Sequence, residues 1–265
     1  MSTAYVKQWP NGGKTVRTIT VDAAAIKVEH VGNKTVMASG KYGVNGTFFA
    51  GSNLTGIAIQ DGYGVNTAGA DKYAKGEANS PISASVAAPC GGKVNKRGTL
   101  FHFSPLLNGQ IHTAQKPVVD FSDYSGANRS NIKWAIGGYS LFLTNSYSSS
   151  DDYYNDIQAV SCANNTENAS RFSPKSPNTR TAIGYRYDST HGRQIVLAVF
   201  KSATAWEVRN FMKNTMDCSI GVMLDGGGSS QMRWKLPSGA NDDWDPSDQK
   251  RTIQTMVTVT ADKWL

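Results

Sequence analysis

Polar and apolar residues alternate along Lys14-Thr15-Val16-Arg17-Thr18-Ile19-Thr20-Val21, the period-2 pattern of a strand with one buried face. Ala25 to Val31 repeats the pattern, and Gly43 to Phe49 is a short aromatic run that ends at a glycine turn, Ala50-Gly51-Ser52-Asn53. Thr181 to Tyr187, Ile220 to Leu224, Gln231 to Trp234 and Arg251 to Thr260 read as further strands. Gln194-Ile195-Val196-Leu197-Ala198-Val199-Phe200 is continuously apolar after its first residue, as a strand buried on both faces would be. Strands therefore dominate. Thr204 opens a helix: Glu207 follows three residues later in capping-box spacing, and Val208, Phe211, Met212 and Thr215 continue at helical intervals. Glu207 is read as a cap rather than a catalyst. The pattern implies an α+β fold, a strand-rich mixed sheet core with few helices, in a single domain over 1–265.

The middle of the chain is less regular. Lys133 to Leu143 reads as a strand interrupted by Gly137-Gly138, where a bulge or close backbone approach is expected. Asn145 to Asp152 and Ser161 to Thr179 read as loops, the second as a lid or rim, because loops of that length are commonly functional. Pro237 to Lys250 reads as a polar loop.

Lysine and arginine number 27 against 20 acidic residues, a net charge of +7. This favours anionic partners, and solubility accounts for it about as well. The basic residues are scattered, without a stripe interleaved with aromatics, so no nucleic-acid partner is expected. No apolar run approaches the length of a membrane-spanning helix, and no membrane partner is expected. The first residues lack a signal-peptide core, so the expected location is cytoplasmic, or outside the cell by release without a signal peptide, as for a phage-borne protein. Cys90, Cys162 and Cys218 are widely spaced and suggest three thiols with at most one bridge. No ligand spacing marks a metal site, and no cofactor is expected.

The chemistry concentrates in Leu224-Asp225-Gly226-Gly227-Gly228-Ser229-Ser230. Three successive glycines cost backbone entropy and bury no side chain. They make sense where the chain turns sharply or its amides approach a ligand, since successive amides can form an anion-binding nest. Asp225, at the end of an apolar strand, suits an acid, a base or a ligand; a tight hairpin with Asp225 as a turn residue is the alternative. The missing Gly-Lys-Ser/Thr argues against a nucleotide P-loop. Arg180 and Arg251 each open a strand after a polar stretch. Their guanidinium groups suit bidentate phosphate binding, although a lone arginine there is more often a surface residue.

Taken together, Asn45-Gly46-Thr47-Phe48-Phe49, Ile136-Gly137-Gly138, Asn178 to Gly184, the Asp225 to Ser230 segment and Arg251-Thr252-Ile253 resemble, in order, the marks of the phosphodiester glycosidase family. The resemblance spans about residues 44 to 260. It implies hydrolysis of a sugar 1-phosphodiester at the anomeric carbon, with a small-molecule or glycopolymer substrate. It implies Asp225 and Arg180 as catalytic residues. Asn45, Gly137, Gly138, Gly226, Gly227, Gly228, Ser229, Ser230 and Arg251 would bind substrate. Glu77 and Asp120 are candidates for a second carboxylate. Relatives commonly carry Asp-Gly after the strand that precedes the helix, where this chain has Lys201-Ser202. A non-catalytic module that binds a phosphorylated sugar or a nucleotide-derived ligand is the alternative function.

Overall fold

A computed structural model describes residues 1–11, 14–54, 56–65, 98–103, 111–114, 131–161 and 173–265. Eighteen strands are defined among them. The first eight are β1 (Thr3–Asn11), β2 (Lys14–Asp22), β3 (Ile26–Lys34), β4 (Gly43–Asn45), β5 (Phe49–Ala50), β6 (Asn53–Leu54), β7 (Ala58–Gln60) and β8 (Tyr63–Gly64). Next come β9 (Gly98–Phe103), β10 (Ile111–Ala114), β11 (Ile132–Ser140), helix α1 (Ser150–Ser161), β12 (Asn178–Asp188) and β13 (Gly192–Ala203). Helix α2 (Ala205–Asn210) runs into a π-helical turn, Phe211–Thr215. The chain closes with β14 (Ile220–Met223), β15 (Met232–Lys235), β16 (Asn241–Trp244), β17 (Ile253–Val259) and β18 (Lys263–Trp264).

The large sheet has the order β10-β9-β11-β14-β12-β13-β2-β1-β18, and β7 and β8 attach beside β11. Its pairings are antiparallel except β1 with β18, which makes the sheet mixed. A second sheet has the order β16-β15-β4-β17-β3. The core between the sheets holds Ile19, Ile183, Ile195, Leu197, Val199 and Val222 from one side and Val28, Val44, Met232, Trp234 and Val257 from the other. On the opposite face of the large sheet, Ala198, Phe200 and Met223 pack against Tyr153, Ile157, Val208, Phe211 and Met212. The fold is thus helices on sheet on sheet, an α+β architecture rich in strands. β13 explains itself: Ile195, Leu197 and Val199 face the second sheet while Val196, Ala198 and Phe200 face the helices. Each such side chain, fully buried, contributes about 1.5–3 kcal/mol.

The capping box forms as expected. The Glu207 amide donates to Thr204 Oγ1 at 3.2 Å, and the Thr204 amide donates to Glu207 Oε2 at 2.7 Å. Two readings need correction. Asn145 to Asp152 is not loop throughout, because α1 starts at Ser150 and the Asp152 amide bonds the Ser149 hydroxyl at its entrance. Pro237 to Lys250 contains the edge strand β16. The N-terminal residues Thr3–Asn11 form a long strand at the margin of the large sheet. Cys90, Cys162 and most of the Ser161 to Thr179 stretch lie outside the described residues. Cys218 is a buried free thiol. No described helix is long and apolar enough to cross a membrane.

Candidate active site around the glycine loop

β14 runs up the middle of the large sheet and ends at Met223. The chain is still tethered just past it: the Leu224 amide donates to Thr181 O at 2.8 Å and the Asp225 amide to Gly46 O at 3.2 Å. Asp225 thus stands where both sheets meet, between the ends of β4 and β12. Gly226 is extended, with φ −122° and ψ −161°. Gly227 has φ +61°, a left-handed conformation, and a Cβ there would meet no atom within 4 Å. Gly227–Ser229 then forms one 3₁₀ turn, closed by Ser229 N to Gly226 O at 3.2 Å and Ser230 N to Gly227 O at 3.1 Å.

Beneath this loop is a buried polar floor. Asn45 has no exposed surface. Its Nδ2 donates to the Asp225 carbonyl at 2.8 Å, while its Oδ1 accepts from Thr181 Oγ1 at 2.7 Å and from the Gln231 amide at 3.3 Å. Ser230 Oγ lies 3.1 Å from Thr181 Oγ1. Gln231 ties in neighbouring chain, accepting from Val36 N at 2.9 Å and donating to Arg251 O at 2.7 Å. Thr179 Oγ1 donates to Gly227 O at 2.6 Å. Ser229 Oγ is buried and has no hydrogen-bond partner among the described residues. Apart from Ser229, the floor is satisfied, and this holds the loop in place, because each buried polar group left unpaired would cost about 1–3 kcal/mol.

The expected site residues divide by what they face. Asp225, Gly226 and Gly227 are partly exposed. Asp225 Oδ1 accepts the Gly226 amide at 3.0 Å, so that amide is engaged within the loop. The amides of Gly227 and Gly228 have no acceptor among the described residues. A Cβ on Gly228 would lie 2.1 Å from Oε1 at the end of the exposed, flexible Gln249 side chain and 3.4 Å from Arg251 Cδ. Arg251 is exposed, lies beside Gly228 and stacks over the Phe49 ring at 5.0 Å. Among the described residues it makes no ion pair.

Asn45, Ser229 and Ser230 do not face an opening. All three are fully buried and lie beneath the loop, Asn45 and Ser230 within its hydrogen-bonded floor. Gly137 and Gly138 are also buried inside the sheet. The Gly137 amide donates to Ile57 O at 2.7 Å, its carbonyl accepts Thr47 Oγ1 at 2.8 Å, and a Cβ on Gly138 would lie 2.0 Å from Met223 O. They permit the close approach of neighbouring strands. Arg180 is 4 % exposed. Its Nε donates to Ala203 O at 3.2 Å, and its Nη2 to Ser173 O at 2.7 Å and Ser176 O at 3.0 Å. Burial pushes its pKa down to about 10, opposed by the nearby tyrosines Tyr153, Tyr154 and Tyr139. Its stem passes the loop, with Cδ 3.8 Å from the Cβ position of Gly226.

Thr179, Thr181 and Gln231 are part of the floor, and reading by residue type did not single them out. The Thr179-Arg180-Thr181 alternation at a strand start carried a weak signal for two of them. Lys201 and Ser202 are at the same edge. Pairing shifts from Asn178↔Ala203 to Arg180↔Phe200, so both residues oppose Thr179 in a β-bulge. Glu77 and Asp120 lie outside the described residues. Among the described residues no group of three or more His, Cys, Asp or Glu side chains is placed to hold a metal ion.

No curated protein matches the chain. A family model described as phosphodiester glycosidase matches residues 39–260. That span takes in Asn45, the double glycine, Arg180, the glycine loop and Arg251, and with most of the chain covered, this protein belongs to the phosphodiester glycosidase family.

Proposed function

We propose that the chain hydrolyses a sugar 1-phosphodiester at the anomeric carbon. Membership of the family supports glycosidase activity on phosphodiesters in general. The observation that carries the finer reading is the half-exposed Asp225-Gly226-Gly227 segment, fixed from below by Asn45 and Thr179. In the reaction, water oxygen bonds to C1 and the C1–O bond to phosphorus breaks. Its electron pair stays on the departing phosphate monoester. Asp225 is the carboxylate that stabilises the oxocarbenium-like centre or takes the proton from water. The Gly227 and Gly228 amides and the Arg251 guanidinium meet the growing phosphate charge, for which prearranged donors are most effective. The buried Arg180 keeps the Ser173–Ser176 and Ala203 carbonyls in place around the loop.

Turnover of a hexose 1-phosphodiester in water enriched in oxygen-18 tests this reading. Label in the released sugar supports cleavage at the anomeric carbon, whereas label in the phosphate contradicts it. A second reading, a binding module without turnover, is favoured by Lys201-Ser202 standing where relatives carry Asp-Gly, opposite Thr179. Calorimetric binding of the same phosphodiester with no sugar released would establish it.

A further inference from the structure

A second cleft, of about 270 Å³, opens at the other end of β12 from the glycine loop. Arg180 begins that strand's contact with the loop and Arg186 lines the cleft; six residues of strand separate them by about 20 Å. The cleft lies on the helix-side face of the large sheet, where the π-helical turn ends at Thr215 and leaves the sheet margin uncovered. Tyr5, Lys7 and Trp9 alternate along β1 and form one rail. All three, with Thr18 and Thr20 from β2, precede residue 39, where the family match begins.

Two polar side chains with uncommitted groups line the floor of this cleft. Thr20 is 6 % exposed and Gln194 is 3 % exposed, and both line the cleft. The Thr20 hydroxyl makes no side-chain hydrogen bond among the described residues. Gln194 Oε1 accepts Arg186 Nε at 3.0 Å and Nη2 at 2.7 Å, which orients the amide and leaves Nε2 without an acceptor among the described residues. Both groups open onto the same cleft, so one ligand seated there can bond them together. The charged groups lean one way. Lys7 Nζ sits 3.7 Å over the Trp9 ring without a carboxylate partner among the described residues, and Arg186 stands opposite. The one carboxylate, Asp188, already accepts the Thr190 and His191 amides and lies 2.9 Å from His191 Nδ1, which keeps its pKa below the usual range. Tyr5 is 36 % exposed and meets the His191 ring edge to face at 5.6 Å, giving the rail a firm apolar surface.

We propose that this cleft is a second binding site, for one phosphorylated hexose unit. Lys7 takes the phosphate. Gln194 Nε2 and the Thr20 hydroxyl bond the sugar hydroxyls, and the Tyr5 ring borders the sugar. The volume lies at the lower end of small-ligand pockets, which suits a single unit. The site would hold a phosphate-bearing sugar away from the loop, either as free product or as a unit of a longer chain.

Calorimetry with glucose, galactose and mannose 1-phosphates tests this on three proteins: wild type, Asp225→Asn and the pair Lys7→Gln with Thr20→Val. Thr20→Val keeps the shape and β-propensity of a buried strand residue, and thermal melting checks that the pair stays folded. The expected result is binding that Asp225→Asn leaves within about twofold and the pair weakens at least about tenfold, roughly 1.4 kcal/mol. A phosphorylated oligosaccharide that binds more tightly than the free hexose phosphates, with the gain lost in the pair, identifies the polymer as the source; equal affinities identify the free sugar phosphate. Inorganic phosphate binding as tightly as the sugar phosphates would overturn the saccharide assignment. Binding kept at wild-type strength in the folded pair, or no binding at millimolar ligand, would overturn the site itself. Because the cleft is read by binding, loss of catalysis at the glycine loop leaves this test intact.

Discussion

Asn45 Nδ2 donates to the backbone carbonyl of Asp225 at 2.8 Å, joining residues 180 positions apart. The proposed catalytic carboxylate is thereby anchored through its own main chain to the end of β4. The same Asn45 side chain receives Thr181 Oγ1 and the Gln231 amide, so one enclosed amide sets the register of β4, β12 and the glycine loop.

Asn45→Ala should therefore act on stability and activity together. It leaves the Asp225 carbonyl, the Gln231 amide and the Thr181 hydroxyl short of a partner. An unsatisfied buried group costs about 1–3 kcal/mol. Urea denaturation should show a lower midpoint with an unchanged slope, alongside reduced turnover. An unchanged midpoint would mean that the loop does not depend on Asn45.

Gly227 separates conformation from access. At φ +61°, valine would be strained whatever the space around it. Asparagine adopts this region more readily, and a Cβ there would meet nothing within 4 Å. Gly227→Asn should keep the melting temperature nearly unchanged and impair phosphodiester binding by intruding on the backbone. Full binding by a folded Gly227→Asn variant would show that no ligand approaches these amides.

The two arginines should respond in opposite ways. Arg251→Ala removes an exposed side chain and should change stability by no more than about 0.5 kcal/mol, while weakening phosphodiester affinity. Arg180→Lys removes the fork that reaches three carbonyls and should lower the melting temperature. If Arg251→Ala binds as wild type and Arg180→Lys loses affinity at unchanged stability, the phosphate contact belongs to Arg180.

Cys218 supplies a pH signature. Burial pushes its thiol up to about 12. The folded state thus keeps a proton that the unfolded chain loses near the ordinary thiol value of about 8.5. Its contribution to stability is complete below that value and falls as pH rises toward about 12. Peptide mapping after alkylation at pH 8 should find Cys218 unmodified in the folded protein and modified in urea. Rapid labelling of the folded protein would contradict its burial.

Much of this was legible because strand periodicity survives wherever burial is one-sided or complete. β2 alternates, and β13 is apolar throughout because it is covered by the second sheet on one face and helices on the other. α1 was hidden because its buried stripe is Tyr153, Tyr154 and Ile157 within a tract of serine and aspartate. β16, Asn241-Asp242-Asp243-Trp244, is a half-exposed edge strand whose composition resembles a turn. The glycine loop announced itself by three residues that pack nothing. Residue type could not show which way a polar side chain points: Asn45 and Ser230 read as ligand contacts and are fully buried beneath the loop.

The central claim is that Asp225 carries the chemistry, and the rate of Asp225→Asn tests it most directly. The substitution keeps size and much of the hydrogen bonding while removing the charge. Loss of a general acid or base typically costs about 100- to 10,000-fold in rate. Turnover of a hexose 1-phosphodiester should fall by that amount, with affinity for the same ligand held within about tenfold, roughly 1.4 kcal/mol. Turnover near the wild-type rate would contradict the claim.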